Sequence, residues 1–263
     1  MSVAEYIKYL LSVEEYSFSL EEVMQHVSKD TTATRRELNR LIAKREIVNL
    51  RTGFYLIIPP RYSSLQKLPL PLYAHKLFAW LKREYYIGLY SAAKIHGASH
   101  QQIQSDYLVI EVPKLNGITK ANYDIRFHTT ANWPINNIVY KKSDAGFYAI
   151  SSPTLTFIDL IHFHTKIGGL NRVLAVLEEL VEELSEGDLI ALLGWYKNKS
   201  ALQRTGFILD ELLGTNRFSE LILKELQKEA FYPILLSPEK NEKPGSAQNR
   251  WKIDVNLRLE SDL

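Results

Sequence analysis

The sequence predicts an α+β fold, with an N-terminal winged helix-turn-helix domain followed by a larger domain that has a mainly antiparallel sheet and a C-terminal helical bundle. Two observations lead to this prediction. Residues 1–60 show the order helix, short strand, helix, helix and hairpin. Residues 104–151 are β-rich, and an apolar period of about 3.6 returns after residue 152.

Two short helices are expected at the start of the chain. Apolar residues recur at helical spacing over residues 2–11, and Phe18 lies in a short extended piece. Ser19 and Glu22 have the spacing of a capping box, in which each side chain bonds the other residue's backbone N–H. This pair predicts a second helix that runs to about residue 27.

A third helix, over residues 32–44, carries the most specific chemistry of the chain. Its core side is predicted to hold Thr34, Leu38, Leu41 and Ile42, and its outer side Thr32, Ala33, Arg36, Asn39, Arg40, Ala43 and Lys44. In a DNA major groove arginine pairs with guanine and asparagine with adenine, so Arg36, Asn39 and Arg40 are predicted to read bases. Thr31 or Thr32 is expected to cap this helix, and Thr34 with Glu37 offers a second capping box.

Charge is distributed unevenly over the first 61 residues. The stretch 29–61 has eight basic and three acidic residues, whereas residues 1–28 have one basic and five acidic. A basic surface beside an acidic one is typical of a protein that places one face on a phosphate backbone. A solvated charged helix is the alternative that charge alone leaves open.

A β-hairpin is predicted after the basic helix. Residues 47–50 lead into the turn Arg51-Thr52-Gly53, residues 54–58 return, and Pro59-Pro60 ends the strand. We expect phosphate contacts from the basic residues Arg35, Lys44, Arg45 and Arg51. The complete predicted DNA-binding set is Thr32, Arg35, Arg36, Asn39, Arg40, Lys44, Arg45, Arg51 and Thr52. Winged helices also dock on proteins, which is the alternative for this module.

Three segments are expected from the chain's organisation: a DNA-binding domain over 1–60, a Pro-rich connector over 61–72 and an α+β domain over 73–263. In the last of these, a helix is predicted at 72–84, and a short helix is capped by Ser91 and ended by Gly97. Turns are expected at Asn116-Gly117 and Asp144-Ala145-Gly146. Helices then fit residues 170–184, 187–197, 200–213 and 217–229, with a last strand near 251–259.

Composition excludes several classes of protein. The 263 residues are 46% hydrophobic with a net charge of +2, and no run of 18 apolar residues occurs. The absence of cysteine excludes disulfides, thiolate metal sites and a cysteine nucleophile. The start of the chain lacks the pattern of a signal peptide, so a cytoplasmic location is expected.

No catalytic constellation is recognisable, so the protein is predicted to be non-enzymatic, with no cofactor and no metal. His96 and His100 have zinc-motif spacing, but Gly97 stands where the HExxH motif has glutamate. His162 and His164 point in opposite directions on a helix, which leaves Asp159 with His162 as a local pair only.

A second basic surface, reaching flanking DNA or an RNA, is left open by nine further cations: Lys76, Lys82, Arg83, Lys94, Lys114, Lys120, Arg126, Lys141 and Lys142.

Several short sequence motifs, taken in their order along the chain, resemble the AbiEi family of bacterial antitoxins. These antitoxins are the repressor halves of AbiE-type (type IV) toxin-antitoxin pairs. The motifs are GFYLIIPPRY, YYIGLYSAAKIHGASHQQIQ, SSPTLTFIDLIHF, KIGGLNRV and NRWKIDVN, and they extend over most of the chain. The resemblance implies that an N-terminal winged helix binds inverted repeats upstream of its own operon. It also implies that the C-terminal domain counteracts a nucleotidyltransferase-like toxin, without requiring a stable complex.

The resemblance does not carry base-contacting residues across, so those rest on the helical arrangement alone. The predicted function is an antitoxin and DNA-binding autorepressor. The alternative is a plain winged-helix regulator with a C-terminal sensor or protein-interaction domain.

Overall fold

The structure, a computed structural model, describes residues 1–98, 104–240 and 242–260, and within them the fold is α+β with ten α-helices. The helices are α1 (Val3–Ser12), α2 (Leu20–His26), α3 (Thr31–Ala43), α4 (Ala74–Leu81), α5 (Leu89–Ile95), α6 (Pro153–His162), α7 (Leu170–Leu180), α8 (Glu186–Leu193), α9 (Lys199–Glu211) and α10 (Asn216–Leu226). The strands are β1 (Ser17–Ser19), β2 (Ile47–Arg51), β3 (Phe54–Ile57), β4 (Tyr85–Ile87), β5 (Asp106–Glu111), β6 (Ile118–Lys120), β7 (Tyr123–Thr130), β8 (Ile138–Ser143), β9 (Gly146–Ser151), β10 (Ile234–Leu235) and β11 (Ile253–Asp254).

By their contacts, the residues form two compact units. The first contains Met1–Tyr86, Gln104–Thr130 and Tyr140–Ala149, and the second contains the described residues within Ile87–Ile103, Ala131–Val139 and Ile150–Leu263. Contact clusters follow packing, whereas the segments expected from the sequence follow composition. The compact units therefore do not test the expected segments, and the segment boundaries 1–60, 61–72 and 73–263 stay a prediction.

The first 58 residues build a small three-helix core against an antiparallel sheet. The sheet has the order β1-β3-β2, so β3 is its central strand. The capping box predicted at Ser19 and Glu22 is present and starts α2. The core residues, contributed by all three helices and all three strands, are Val3, Tyr6, Ile7, Leu10, Phe18, Val23, Val27, Leu38, Leu41, Ile47, Tyr55 and Ile57.

The larger sheet has six strands in the order β6-β7-β5-β4-β9-β8, and it is mixed. Strands β5 and β7 pair in parallel, as do β4 and β9, whereas β6 and β7 pair antiparallel. The predicted sheet is therefore present, but it is mixed, with two parallel pairs that the sequence did not indicate. The prediction assumed that strands adjacent in sequence pair with each other. Instead, β7 lies between β6 and β5, and it runs antiparallel to β6 and parallel to β5.

Helix and turn boundaries differ locally from the sequence-based expectations. The tight turn between β6 and β7 follows Lys120 and not Asn116-Gly117, whereas the turn predicted at Asp144-Ala145-Gly146 is present between β8 and β9. Helix α5 begins after Gly88, with Ser91 buried inside it. Gly97 follows α5 with a positive φ of 86°, as a helix-ending glycine does. The last strand is only two residues long, and it pairs with β10 in parallel.

In the second unit, α6 packs against α7, α8 and α9, and α9 anchors the C-terminal segment. The indole of Trp251 is fully buried, and its Nε1–H donates to Asp210 on α9 at 2.9 Å. The Trp251 carbonyl accepts a hydrogen bond from Gln203 of the same helix, also at 2.9 Å. Gly206 is the point of closest approach, where a Cβ would overlap the indole ring.

Gly206→Ala is expected to destabilise the protein by about 1–3 kcal/mol, because the ring has no room to accept a methyl group without moving away from α9. Gly187→Ala is the matched control: it also lies in a helix, but its Cβ would meet no atom closer than 3.9 Å. Urea denaturation followed by circular dichroism would compare the two. Equal midpoints for both variants would show that the indole is not packed as described.

Candidate nucleic-acid interface

Helix α3 is positioned by one buried side. Thr34, Leu38 and Leu41 are almost completely buried, whereas the opposite side is open to solvent. The exposed set is Thr32, Arg35, Arg36, Asn39 and Arg40 on the helix, followed by Lys44 and Arg45 at its end. The arrangement inferred from helical spacing therefore matches the burial of this helix. Seven of the nine predicted residues come together on and just after one element.

The start of α3 differs from the prediction. Asp30 is the N-cap, and its carboxylate accepts a hydrogen bond from the Ala33 N–H at 2.8 Å, so neither Thr31 nor Thr32 has that role. The second capping box does not form either. Glu37 instead pairs with Lys29 at 2.7 Å. An aspartate caps well because its charge also favours the positive end of the helix dipole.

The end of α3 is a Schellman turn, which reverses the chain into β2. The Arg45 N–H donates to the Ile42 carbonyl at 2.9 Å, and the Glu46 N–H donates to the Leu41 carbonyl at 3.0 Å. Arg45 has a φ of 60°, in the left-handed region where glycine is the usual residue. The chain thus keeps a cation at a position whose backbone favours glycine.

Ion pairs neutralise the cations at the two ends of the basic stretch 29–61. Lys29 is paired with Glu37, and Arg61 donates to Asp144 at 2.9 Å and to the Tyr16 hydroxyl at 2.8 Å. The hydrogen bond that Arg61 donates to Asp144 raises the pKa of Arg61 above its usual value. Between these two ends, α3 and the residues just after it expose five cations: Arg35, Arg36, Arg40, Lys44 and Arg45. In the described chain, none of the five forms an ion pair with a carboxylate.

The hairpin tip is packed, which the sequence did not indicate. Strand β1 pairs with β3 as far as Phe54, and the Gly53 carbonyl accepts a hydrogen bond from the Leu20 N–H at 2.8 Å. The rings of Phe54 and Trp80 lie 5.3 Å apart, so α4 supports the tip. The two remaining predicted residues are at this tip: Thr52 is exposed, and Arg51 is half-buried with one guanidinium nitrogen enclosed and unpartnered.

An open groove of about 550 Å³ runs beside the exposed side of α3. One wall is formed by α3 and β2, and the other by residue 66 and the tight turn between β6 and β7. The lining residues are Asn39, Ile42, Arg45, Ile47, Val48, Asn49, Gln66, Lys120, Ala121 and Asn122. Only Asn39 and Arg45 were predicted site residues. The sole sequence signal for the far wall was Lys120, one of nine scattered cations.

The histidines considered as metal ligands have other contacts. His96 Nε2 lies 2.8 Å from the Ser151 carbonyl, and His100 lies outside the described residues. His162 Nδ1 meets the Tyr196 hydroxyl at 2.8 Å, and α6 ends there, before His164. Over the residues that are described, no group of three or more His, Asp or Glu side chains is placed to hold a metal ion.

A membrane-crossing helix would have to be longer and more apolar than any helix in the described ranges.

Comparison with known proteins gives two matches of different kinds. Residues 86–211 match the family model described as the AbiEi antitoxin C-terminal domain, which confirms the family resemblance inferred from the sequence motifs. Among solved structures, the chain is similar to the crystal structure of the RV2827C protein from Mycobacterium tuberculosis, with a TM-score of 0.65 and 15% sequence identity. That similarity covers 95% of this chain and 89% of the other, and at this identity it establishes the fold alone. No curated protein matches the chain.

Arg45→Gly is expected to raise the free energy of unfolding by about 0.5–1 kcal/mol, because glycine adopts the left-handed conformation without the steric cost of a Cβ. Urea denaturation at neutral pH would measure the change. Arg45→Ala removes the same charge and keeps the Cβ, so it should show no such gain. A loss of stability in the glycine variant would mean that the arginine side chain is itself needed for packing.

Stability is expected to fall as the pH drops from about 6.5 to about 4, because of His162. Burial is the main cause that lowers its pKa from 6.5 to about 4. In that window the unfolded chain binds a proton at His162 that the folded chain excludes, so the free energy of unfolding falls by up to about 3 kcal/mol. Above pH 7, His162 contributes no change in stability. Denaturant titrations of the native protein and of His162→Gln over this range would test it. An unchanged slope in the variant would assign the effect to other groups.

Proposed function

Because the match over residues 86–211 places this chain in the AbiEi antitoxin family, we propose that it is an antitoxin that also represses its own operon by binding DNA. The observation that carries the DNA-binding half is the exposed side of α3, where five cations without carboxylate partners surround Asn39. Unneutralised cations on one helix face are what a phosphate backbone requires.

The arrangement of the first 58 residues supports a winged helix-turn-helix. Its element order is α1, β1, α2, α3, β2, β3, and its sheet order is β1-β3-β2. In such a domain the helix that precedes the hairpin enters the major groove. Helix α3 has that position in the chain, and its small and polar outer residues allow close approach to base edges. We therefore assign residues 1–60 as the DNA-binding domain.

Within this proposal, Arg36, Asn39 and Arg40 read bases, since they lie on the exposed side of α3 and have the side chains that pair with guanine and adenine. The residues Arg35, Lys44, Arg45 and Arg51 hold phosphates, and Thr32 and Thr52 add contacts at the start of the helix and at the hairpin tip. The packed tip favours a wing that touches the DNA backbone over one that enters a groove. Binding to inverted repeats requires two copies on the DNA.

The antitoxin half of the proposal concerns the family-matched segment. We propose that it counteracts a nucleotidyltransferase-like toxin encoded beside it, and that the protein does so without catalysis. The contacts of His96 and His162 support a structural role for these side chains. A neighbouring nucleotidyltransferase-like reading frame would support this assignment over a regulator without a toxin.

The double variant Arg36→Ala, Arg40→Ala is expected to lose DNA affinity about 30-fold or more, because each base contact contributes about 1–3 kcal/mol. Fluorescence anisotropy with a duplex from the region upstream of the coding sequence would measure it. Lys8→Ala is the control, since it removes an exposed lysine from α1 and leaves the charges of α3 unchanged. If the double variant bound as tightly as the native protein, the assignment of α3 would be wrong.

Lys44→Ala is expected to weaken binding to every duplex alike and to reduce the log-log salt slope by about one unit, because a phosphate contact releases counterions and reads no sequence. Titrations at several salt concentrations on the upstream duplex and on a scrambled one would show this. A change in preference between the two duplexes would instead indicate base reading by Lys44.

Repression and antitoxicity are expected to separate in the same double variant. Expressed from a foreign promoter with the toxin, Arg36→Ala, Arg40→Ala should rescue growth as the native protein does, while it no longer silences a reporter behind its own promoter. Gly206→Ala is expected to give the reverse result, with weaker rescue and retained repression, because it perturbs the unit that holds most of the family-matched segment. Loss of rescue in the double variant, at native protein levels, would place antitoxicity on the DNA-binding face.

A further inference from the structure

The groove beside α3 has walls that come from distant parts of the chain. Asn39 and Arg45 belong both to the exposed side of α3 and to the groove, and Lys120 and Asn122 form the opposite wall. Because two residues are shared, a ligand that lies along the exposed side of α3 also meets the groove.

The far wall is held in a fixed place. Lys120 pairs with Tyr123 across the tight turn, and Tyr123 is almost completely buried, with its hydroxyl accepting a hydrogen bond from the Leu68 N–H at 2.7 Å. Asn122 donates to the Leu65 carbonyl at 3.3 Å. These bonds tie the turn to the segment 65–68, so its position is set before any ligand arrives. A preformed contact costs less entropy on binding than one that must be ordered.

The charge of the groove has one sign. Its cations are Arg45 and Lys120, its other polar groups are the amides of Asn39, Asn49, Gln66 and Asn122, and no carboxylate lines it. Cations and amide N–H groups are the donors that proteins use for phosphate and sugar oxygens. Its apolar lining residues, Ile42, Ile47 and Val48, offer no competing side-chain acceptor.

Three of the nine scattered cations have partners in the first unit. In the first unit, Lys76 pairs with Glu15 at 3.1 Å, Arg126 pairs with Asp124 at 3.1 Å, and Arg83 donates to backbone carbonyls. Lys120 is exposed, and no ion pair forms at it in the described chain. Of the nine scattered cations, it is the one that lines a groove with α3.

We propose that this groove takes the sugar-phosphate backbone of one operator strand next to the bases that α3 reads, and that Lys120 supplies a phosphate contact from outside the N-terminal domain. This inference rests on the proposed function, because it assumes that α3 faces DNA. It extends the footprint of the protein past the helix.

The first test compares Lys120→Ala with Lys8→Ala, which removes an exposed lysine from helix α1, outside the groove. On a fluorescein-labelled duplex of about 30 base pairs, loss of Lys120 should reduce the log-log salt slope by about one unit and weaken binding several-fold. The Lys8 variant should keep the native slope. If the Lys120 variant also kept it, the groove would not hold the backbone.

The second test uses the absence of cysteine, since Lys120→Cys then carries a single thiol. Coupled to a photoreactive azidophenacyl group, it should cross-link to the labelled duplex, and the same group at Lys8→Cys should not. Equal cross-linking at both positions, or none at residue 120, would overturn the proposal.

The Arg36→Ala, Arg40→Ala variant separates the two levels of inference. If it loses binding while Lys120→Ala and the residue 120 cross-linker behave as the native and control proteins do, the groove assignment fails and the proposed function stands. If the double variant binds normally, the proposed function fails first.

Discussion

The burial of one side of α3 is the constraint on which the rest of the N-terminal structure depends. Leu38 and Leu41 fill the core between the other helices and the small sheet, which fixes the rotation of the helix about its axis. Asp30 accepts a hydrogen bond from the Ala33 N–H at the start of the helix, and the Schellman turn bonds the Leu41 and Ile42 carbonyls at its end, so these bonds do not use the outer side chains. Those side chains are therefore available to a ligand.

Electrostatics then selects among the many charged residues. The whole chain has a net charge of only +2, and many surface cations are neutralised locally, including Lys29, Arg61 and Lys76. Exposed ion pairs of this kind add little stability, but each one removes a cation from the surface field. Among the described residues, α3 and its end expose five cations without an ion pair, and Lys120 is another exposed cation without one. Arg45 shows the cost, since it occupies a left-handed position that glycine would fill more favourably.

The family-matched segment and the compact units do not share boundaries. Residues 86–211 include all of β5 to β9 and α6 to α9. Strands β5, β6 and β7 and most residues of β8 and β9 belong to the first unit, whereas α6 to α9 belong to the second. The tight turn that carries Lys120 thus lies inside the family-matched segment, although it packs in the same unit as α3. If the groove does hold DNA, the part of the chain named for antitoxin activity also contributes to DNA binding, and the two activities would be coupled through one unit.

The sequence by itself determined the features that arise between near neighbours. The exposed side of α3, the capping box at Ser19 and the helical period after residue 152 follow from spacings of three or four residues, where geometry leaves few choices. The family resemblance followed from ordered motifs in the same way. Only the tertiary structure decided the mixed strand order, the pairing of Glu37 with Lys29, the packed hairpin tip and the groove between α3 and Lys120. These depend on which distant residues meet once the core has formed, and neither hydrophobic period nor local charge encodes that choice, because many strand orders bury the same apolar faces.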